Sequence, residues 1–185
     1  MPRDPRRPLP PLDQPALERM ALRYVERFAT TRAKLATYLT RKLRERGGEG
    51  PIDIATLADR MADLRYVDDR AFAEARAASM TRRGLGARRV RDALRHAGVG
   101  TDDSEAVVDT LDDGAEASAM AFARRKRIGP FATEPVERDR REKQIGAMVR
   151  AGHSPALARR IAAMAPGDGE DAVDDRRSAK KPSRS

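Results

Sequence analysis

The chain repeats one pattern three times, and this repetition constrains its fold more than any other feature. In each repeat a segment rich in Arg and Lys runs with helical periodicity to a glycine, and the three segments are Thr31 to Gly47, Gly86 to Gly98 and Val136 to Gly152. The stop glycines are 51 and 54 residues apart. A short turn and one more amphipathic segment follow each glycine. A period of about 50 residues predicts an array of small helical units.

The pattern therefore predicts an all-α protein, an elongated array of three tandem three-helix repeats. We expect a disordered Pro- and Arg-rich tail over residues 1–15, repeats over residues 16–65, 66–113 and 114–165, and a disordered charged tail over residues 166–185. The prolines deny the first tail a helix. The last tail has almost nothing apolar to bury.

Apolar residues at helical spacing predict which face of each helix is buried. In the first repeat the predicted stripes are Leu17, Met20, Ala21, Tyr24 and Phe28, followed by Leu35, Tyr38, Leu39 and Leu43. In the second repeat they are Ala71, Phe72, Ala75 and Ala78, followed by Val90, Leu94 and Ala97. Thr30 or Thr31 is expected to cap the second helix, and Ser154 to cap the last one.

Charge and composition restrict the class of partner. The chain carries 36% charged and 39% hydrophobic residues and a formal charge of +9, which favours an acidic partner such as nucleic acid. It has no cysteine, so disulfides and thiolate metal sites are excluded. No stretch approaches the ~20 apolar residues of a membrane span, and no apolar run near the start resembles a secretory signal. We expect a cytoplasmic protein.

Two groups of basic residues are the candidate contacts to a partner or to DNA. The first group flanks a glycine turn and comprises Arg82, Arg83, Arg88, Arg89 and Arg91. The second group is the uninterrupted run Arg124, Arg125, Lys126 and Arg127. Guanidinium and ammonium groups suit phosphates or an acidic protein surface, although a solvated helix face has the same composition. Arg88, Arg89 and Arg91 are expected to lie opposite the Val90 and Leu94 stripe. With aromatic residues at 4%, a base-stacking surface is poorly supported.

Other polar features favour structural roles over catalysis. Adjacent Asp68 and Asp69 precede a helix, where carboxylates usually cap free amides. Gly84 and Gly86 lack the Lys and Ser/Thr of a phosphate loop. The chain has only two histidines, His96 and His153, too few for a zinc site or a triad. Structural roles are predicted for Asp68, Asp69, Phe72, Gly84, Gly86, Leu94 and Gly98. We expect no catalytic residue, no metal and no cofactor.

Two segments resemble the signature of a known family. They are Tyr66-Val67-Asp68-Asp69-Arg70-Ala71-Phe72-Ala73 and Gly84-Leu85-Gly86-Ala87-Arg88-Arg89-Val90-Arg91-Asp92-Ala93-Leu94-Arg95-His96-Ala97-Gly98-Val99, and they look like RecX proteins, the bacterial regulators of the RecA recombinase. Ala21-Leu22-Arg23-Tyr24 and Lys34-Leu35 resemble the first helix pair of that family. The likeness extends over residues 16–165. His153 departs from the family pattern, because the family often has an aromatic residue at this position, directly after the glycine that is Gly152 here.

The resemblance implies a specific function. RecX proteins are built from three tandem three-helix repeats and bind the RecA filament on single-stranded DNA. They inhibit strand exchange, ATP hydrolysis and coprotease activity, and so modulate DNA repair, recombination and the SOS response. They act stoichiometrically, without chemistry of their own. By resemblance we expect a monomer that binds the RecA filament, with single-stranded or duplex DNA as a further direct partner.

Two other functions fit the same sequence features. A helix-turn-helix DNA-binding protein would also be basic and helical, with Ala87 to Gly98 as its recognition helix, and it would favour one duplex site. A general helical adaptor would use its apolar stripes to bind another protein. Salt distinguishes these classes, because binding to phosphates weakens steeply as salt rises and apolar docking does not.

Overall fold

A computed structural model describes residues 10–168 of the chain, and these residues confirm the all-α fold class. They form nine α-helices, with no β-strand among them. The helices are α1 (Gln14–Val25), α2 (Arg32–Arg46), α3 (Ile54–Asp63), α4 (Asp69–Arg82), α5 (Ala87–His96), α6 (Thr101–Asp109), α7 (Ala115–Lys126), α8 (Arg138–Arg150) and α9 (Pro155–Ala163). The three basic segments predicted to end at glycines are α2, α5 and α8.

The described chain groups into two compact units. The first unit comprises the chain up to Ala73 together with Leu94–Ser104, and the second comprises Glu74–Ala93 together with the chain from Glu105 onward. Helices α4, α5 and α6 therefore each contribute residues to both units. The division into three sequence repeats stays a prediction.

The first unit is built on α1, α2 and α3. Its core consists of Leu12, Leu17, Ala21, Leu35, Leu39, Leu57, Met61 and Val67. Thr31 caps α2 as predicted, because its hydroxyl accepts a hydrogen bond from the Lys34 amide at 3.2 Å. Phe28 corrects the predicted α1 stripe: the helix ends at Val25, and Phe28 is 52% exposed.

The predicted N-terminal tail is too long at its inner end. Leu12 is only 1% exposed, its amide donates to Gly47 O at 2.9 Å, and its carbonyl accepts from Glu49 at 3.0 Å. Asp13 then caps α1 by accepting from the Ala16 amide at 2.8 Å. Residues 10–15 are thus part of the fold, because one buried leucine anchors them despite the prolines. At the other end, the Gly167 amide donates to Pro130 O at 3.0 Å. The rest of both predicted tails lies outside the described residues.

The two adjacent aspartates serve two different helices. Asp68 caps α4 by accepting from the Ala71 amide at 2.8 Å. Asp69 is buried and instead accepts from the Arg32 amide, the first of α2, at 2.9 Å. The Arg32 Nε atom also lies 3.5 Å from Asp69 Oδ2. A carboxylate at the first amide of a helix accepts a hydrogen bond from a free donor and interacts favourably with the positive end of the helix dipole. Asp69 therefore holds the start of α2 in place.

Helix α4 buries a different face from the one predicted. Its buried apolar side chains are Ala73, Ala77 and Met80. The predicted stripe is therefore wrong: its three alanines are exposed and Phe72 is half-buried. Alanines occupy both sides of this helix, so the sequence offers little hydrophobic contrast from which to choose a face. Phe72 has the Lys34 ammonium 5.1 Å from its ring centroid.

The second unit contains its own apolar core. Its members come from α7, α8, α9 and the connecting segments, and they are Ala119, Phe122, Ala123, Ile128, Met148, Ala151, Ala158, Ile161 and Ala162. Ser154 caps α9 as predicted, accepting from the Leu157 amide at 3.2 Å. Ile161 of α9 is 1% exposed and belongs to this core.

Candidate partner-binding surface

In the second unit, the start of α5 is held against the turn between α8 and α9 by two glycines. The Gly86 amide donates to Ala151 O at 2.9 Å, and the Arg88 amide donates to Gly152 O at 3.3 Å. A Cβ atom on Gly86 would overlap the Gly152 carbonyl, and one on Gly152 would lie 2.5 Å from Arg89 N. Both positions therefore require glycine, and the contact fixes α5 beside the end of α8.

His153 completes this contact from inside. It is 4% exposed, and its Nε2 atom lies 3.1 Å from Gly84 O, so Nε2 carries the donated hydrogen. Its ring meets Phe122 edge to face at a centroid distance of 5.8 Å. Burial lowers the pKa of His153, against the opposing effect of the Gly84 hydrogen bond. His153 thus fills the position where the resemblance led us to expect an aromatic residue.

This arrangement creates a positively charged cavity on the surface of the second unit. The cavity has a volume of about 230 Å³ and is lined by Arg88, Arg89, Asp92, Val149, Arg150 and Gly152. Three arginines face one carboxylate, so the lining has a net positive charge. Guanidinium groups from α5 and α8 can form two-pronged hydrogen bonds to a phosphate or carboxylate that enters the cavity. Arg150 is not among the predicted contacts, because it joins the lining only as the last residue of α8 in the folded chain.

Arg91 differs from its neighbours on α5. It is 40% exposed, and its Nε atom lies 3.0 Å from Glu105 Oε1 within the second unit. Its charge is therefore already paired with a carboxylate of the same protein, although the sequence grouped it with Arg88 and Arg89. This pair makes Arg91 the natural control for any experiment on the cavity.

We expect replacement of Arg91 by alanine to have little effect on stability. Partly exposed ion pairs contribute about 0–1 kcal/mol to the free energy of unfolding, because water screens the charges. Urea denaturation followed by circular dichroism should show a change in this range for Arg91→Ala. A loss above about 2 kcal/mol would mean that the pair with Glu105 has a larger structural role than its exposure indicates.

The remaining predicted basic residues are exposed and lie outside the cavity lining. Arg82 and Arg83 are at the end of α4, and the predicted run is at the end of α7. Arg124 has its guanidinium 5.0 Å from the Phe131 ring centroid. Basic side chains in the last turn of a helix interact favourably with the helix dipole, which gives this run a structural explanation as well. Of the nine predicted basic residues, the cavity brings together Arg88 and Arg89.

The other residues with predicted structural roles occupy tight positions. Leu94 is fully buried. Gly84 has a φ of +72°, and a Cβ atom there would lie 2.6 Å from Phe122 N in the second unit. Gly98 has a φ of +71°, and a Cβ atom there would overlap the side chain of Ala33 in the first unit. These glycines therefore allow a neighbouring segment to approach closely, in addition to forming turns.

Comparisons with known proteins identify the family. The family model described as the second three-helix domain of RecX matches residues 68–108. The regulatory protein RecX of Myxococcus xanthus (strain DK1622) is 32% identical over 155 residues, which cover 78% of this chain and 83% of that protein. The chain belongs to the RecX family. The regulatory protein RecX of Thermobifida fusca (strain YX) is 33% identical over 77% of this chain and 74% of its own.

A solved RecX structure agrees with the fold. The crystal structure of RecX from Lactobacillus salivarius superimposes with a TM-score of 0.64 at 18% identity, covering 78% of this chain and 91% of that one. The matched RecX second domain includes Arg82, Arg83, Arg88, Arg89 and Arg91. The basic run at the end of α7 and Arg150 lie beyond it.

Within residues 10–168, no group of three or more acidic or histidine side chains could hold a metal ion. In the same part of the chain, no helix is both long and apolar enough to cross a membrane.

Proposed function

We propose that this protein binds the RecA recombinase and its filament on single-stranded DNA and inhibits the recombinase, ATPase and coprotease activities. It would thereby modulate DNA repair, recombination and the SOS response. The observation that carries this proposal is the 32% identity to a regulatory protein RecX over 83% of that protein's length. The protein acts stoichiometrically as a cytoplasmic monomer, without catalysis or a cofactor.

The arginine cavity supports an electrostatic contribution to this binding. Arg88, Arg89 and Arg150 converge on one opening from two helices that the Gly86–Gly152 contact holds together. Because this contact fixes the backbones of the two helices, their guanidinium groups can bind one anionic group without a rearrangement of the fold. We therefore assign this cavity as a contact for a negatively charged part of the filament.

The same geometry weighs against the helix-turn-helix alternative. A recognition helix reads base edges with its N-terminal residues. The N-terminal end of α5 instead lies against the protein's own turn, with the Arg88 amide bonded to Gly152 O. A sequence-specific duplex reader would need this end of α5 in the major groove.

The test is ATP hydrolysis by the cognate RecA on single-stranded DNA, with this protein added at substoichiometric and equimolar ratios. We expect inhibition well below one protein per recombinase, because an inhibitor that acts on a growing filament affects many subunits. The variant with Arg88, Arg89 and Arg150 all changed to alanine should require about tenfold more protein for the same inhibition, since removing complementary charges slows association and weakens binding.

Arg91→Ala is the matched control, because it removes an arginine of the same helix that is already paired. It should inhibit as the parent does. Equal inhibition by the triple variant and the parent would reject the cavity assignment. No inhibition by the parent at excess would reject the proposed function, and tight binding to one duplex sequence would favour the helix-turn-helix alternative.

A further inference from the structure

Three aromatic side chains of the first unit form one continuous row. The Phe28 ring centroid is 5.2 Å from that of Tyr24, and the Tyr24 centroid is 4.2 Å from that of Tyr38, in a stacked arrangement. The chain has only seven aromatic residues, so this row gathers nearly half of them. The row joins α1, α2 and the segment between them.

A guanidinium group stands at each end of the row. The Arg27 group lies 5.7 Å from the Phe28 ring centroid, and the Arg41 group lies 5.8 Å from the Tyr38 centroid. Arg41 also lies 3.8 Å from Glu45, an exposed pair that water and salt screen. We call these five residues, Arg27, Phe28, Tyr24, Tyr38 and Arg41, the aromatic row.

Two rings of the row are anchored in the first unit, and the third is exposed. Tyr24 and Tyr38 pack against the buried core of the first unit, which fixes their orientation. Phe28 follows the end of α1 and remains 52% exposed. The Arg27 guanidinium lies over the Phe28 ring, so a stacking ligand takes its place against a ring that is already held by Tyr24, at little cost in conformational entropy.

We propose that the aromatic row binds single-stranded nucleic acid, with a base stacked on Phe28 and phosphates beside Arg27 and Arg41. Every base has a flat π face, so stacking of this kind is independent of sequence. The guanidinium groups at the two ends of the row favour this ligand over an apolar protein surface, because a strand that runs along the row carries phosphates past both of them. This inference concerns a contact with the strand itself and does not depend on the proposed inhibition of RecA.

The test is fluorescence anisotropy of a labelled thymidine oligonucleotide titrated with the full chain, in the absence of RecA. Phe28→Leu keeps apolar bulk but removes the π face, and we expect it to bind about tenfold more weakly. The slope of log affinity against log salt should not change. Arg27→Ala should instead reduce that slope by about 0.7, as expected for one phosphate contact on a single strand.

The matched control is Tyr66→Leu, which removes an aromatic side chain that is 54% exposed in the same unit but outside the row. It should bind as the parent does. A second measurement uses an oligonucleotide of the same length without bases, which the parent should bind more weakly than the thymidine strand and Phe28→Leu should bind as the parent does.

Two results would overturn the inference. One is equal binding of the parent to the strands with and without bases. The other is a Phe28→Leu variant that retains parental affinity for the thymidine strand, even if it loses affinity for RecA protein. Because neither titration contains RecA, both outcomes are independent of the ATPase experiment.

Discussion

Gly86→Ala is expected to lower the free energy of unfolding by about 3 kcal/mol or more. The new methyl group would overlap the Gly152 carbonyl, which is backbone and cannot rotate away. Overpacking costs about 1–3 kcal/mol, and each backbone hydrogen bond lost from this contact adds about 1 kcal/mol. In a domain of this size, the midpoint of thermal unfolding should fall by about 6–12 °C. Calorimetry and urea denaturation would measure both quantities.

Gly114→Ala provides the control for this prediction. Gly114 has a φ of −99°, and a Cβ atom there would meet nothing within 4 Å. A change within about 0.5 kcal/mol is expected for such an open position. If Gly86→Ala were tolerated as well as Gly114→Ala, the close approach between α5 and the α8–α9 turn would not exist in solution.

Lowering the pH is expected to destabilise the protein through His153. Burial lowers the pKa of this side chain from its ordinary value of 6.5. The unfolded chain therefore binds a proton as the pH falls through 6.5, whereas the folded chain does not. The contribution of His153 to the free energy of unfolding is largest above pH 6.5, decreases as the pH falls toward the lowered pKa, and then levels off. Urea denaturation between pH 8 and pH 5.5 would measure this dependence.

Two substitutions separate the charge of His153 from its hydrogen bond. His153→Leu leaves the Gly84 carbonyl without its donor and should cost about 1–3 kcal/mol at pH 8. His153→Gln keeps an amide donor that cannot be protonated, so it should retain more stability and lose the pH dependence. A parental profile in His153→Gln would contradict the assignment.

Local signals explain which parts of the fold were predictable. Thr31 and Ser154 mark helix starts, because their hydroxyl groups accept hydrogen bonds from backbone amides three residues later. The glycines after α2, α5 and α8 mark helix ends, because the chain leaves each helix at a positive φ, which glycine adopts more easily than other residues. Such signals act within a few residues, so one sequence is enough to place the helices.

Features that depend on tertiary contacts were not predictable. Leu12 is anchored by the backbone at Gly47 and Glu49, far along the chain. Arg150 belongs to the cavity only because α8 ends beside α5. The stacked rings were not predictable either, since Tyr24 and Tyr38 lie on different helices and meet only when α1 and α2 pack.

The discontinuous first unit has a consequence for synthesis on the ribosome. Thr31 donates its hydroxyl hydrogen to Ala97 O, 66 residues later, so the unit can be completed only after that carbonyl has emerged. Glu74–Ala93 has then already left the exit tunnel, while the acceptor for the Gly86 amide, Ala151 O, has not been made. At about 5–20 residues per second, the segment waits several seconds for its partner. The nascent chain therefore closes its first unit while the start of α5 is still open to chaperones.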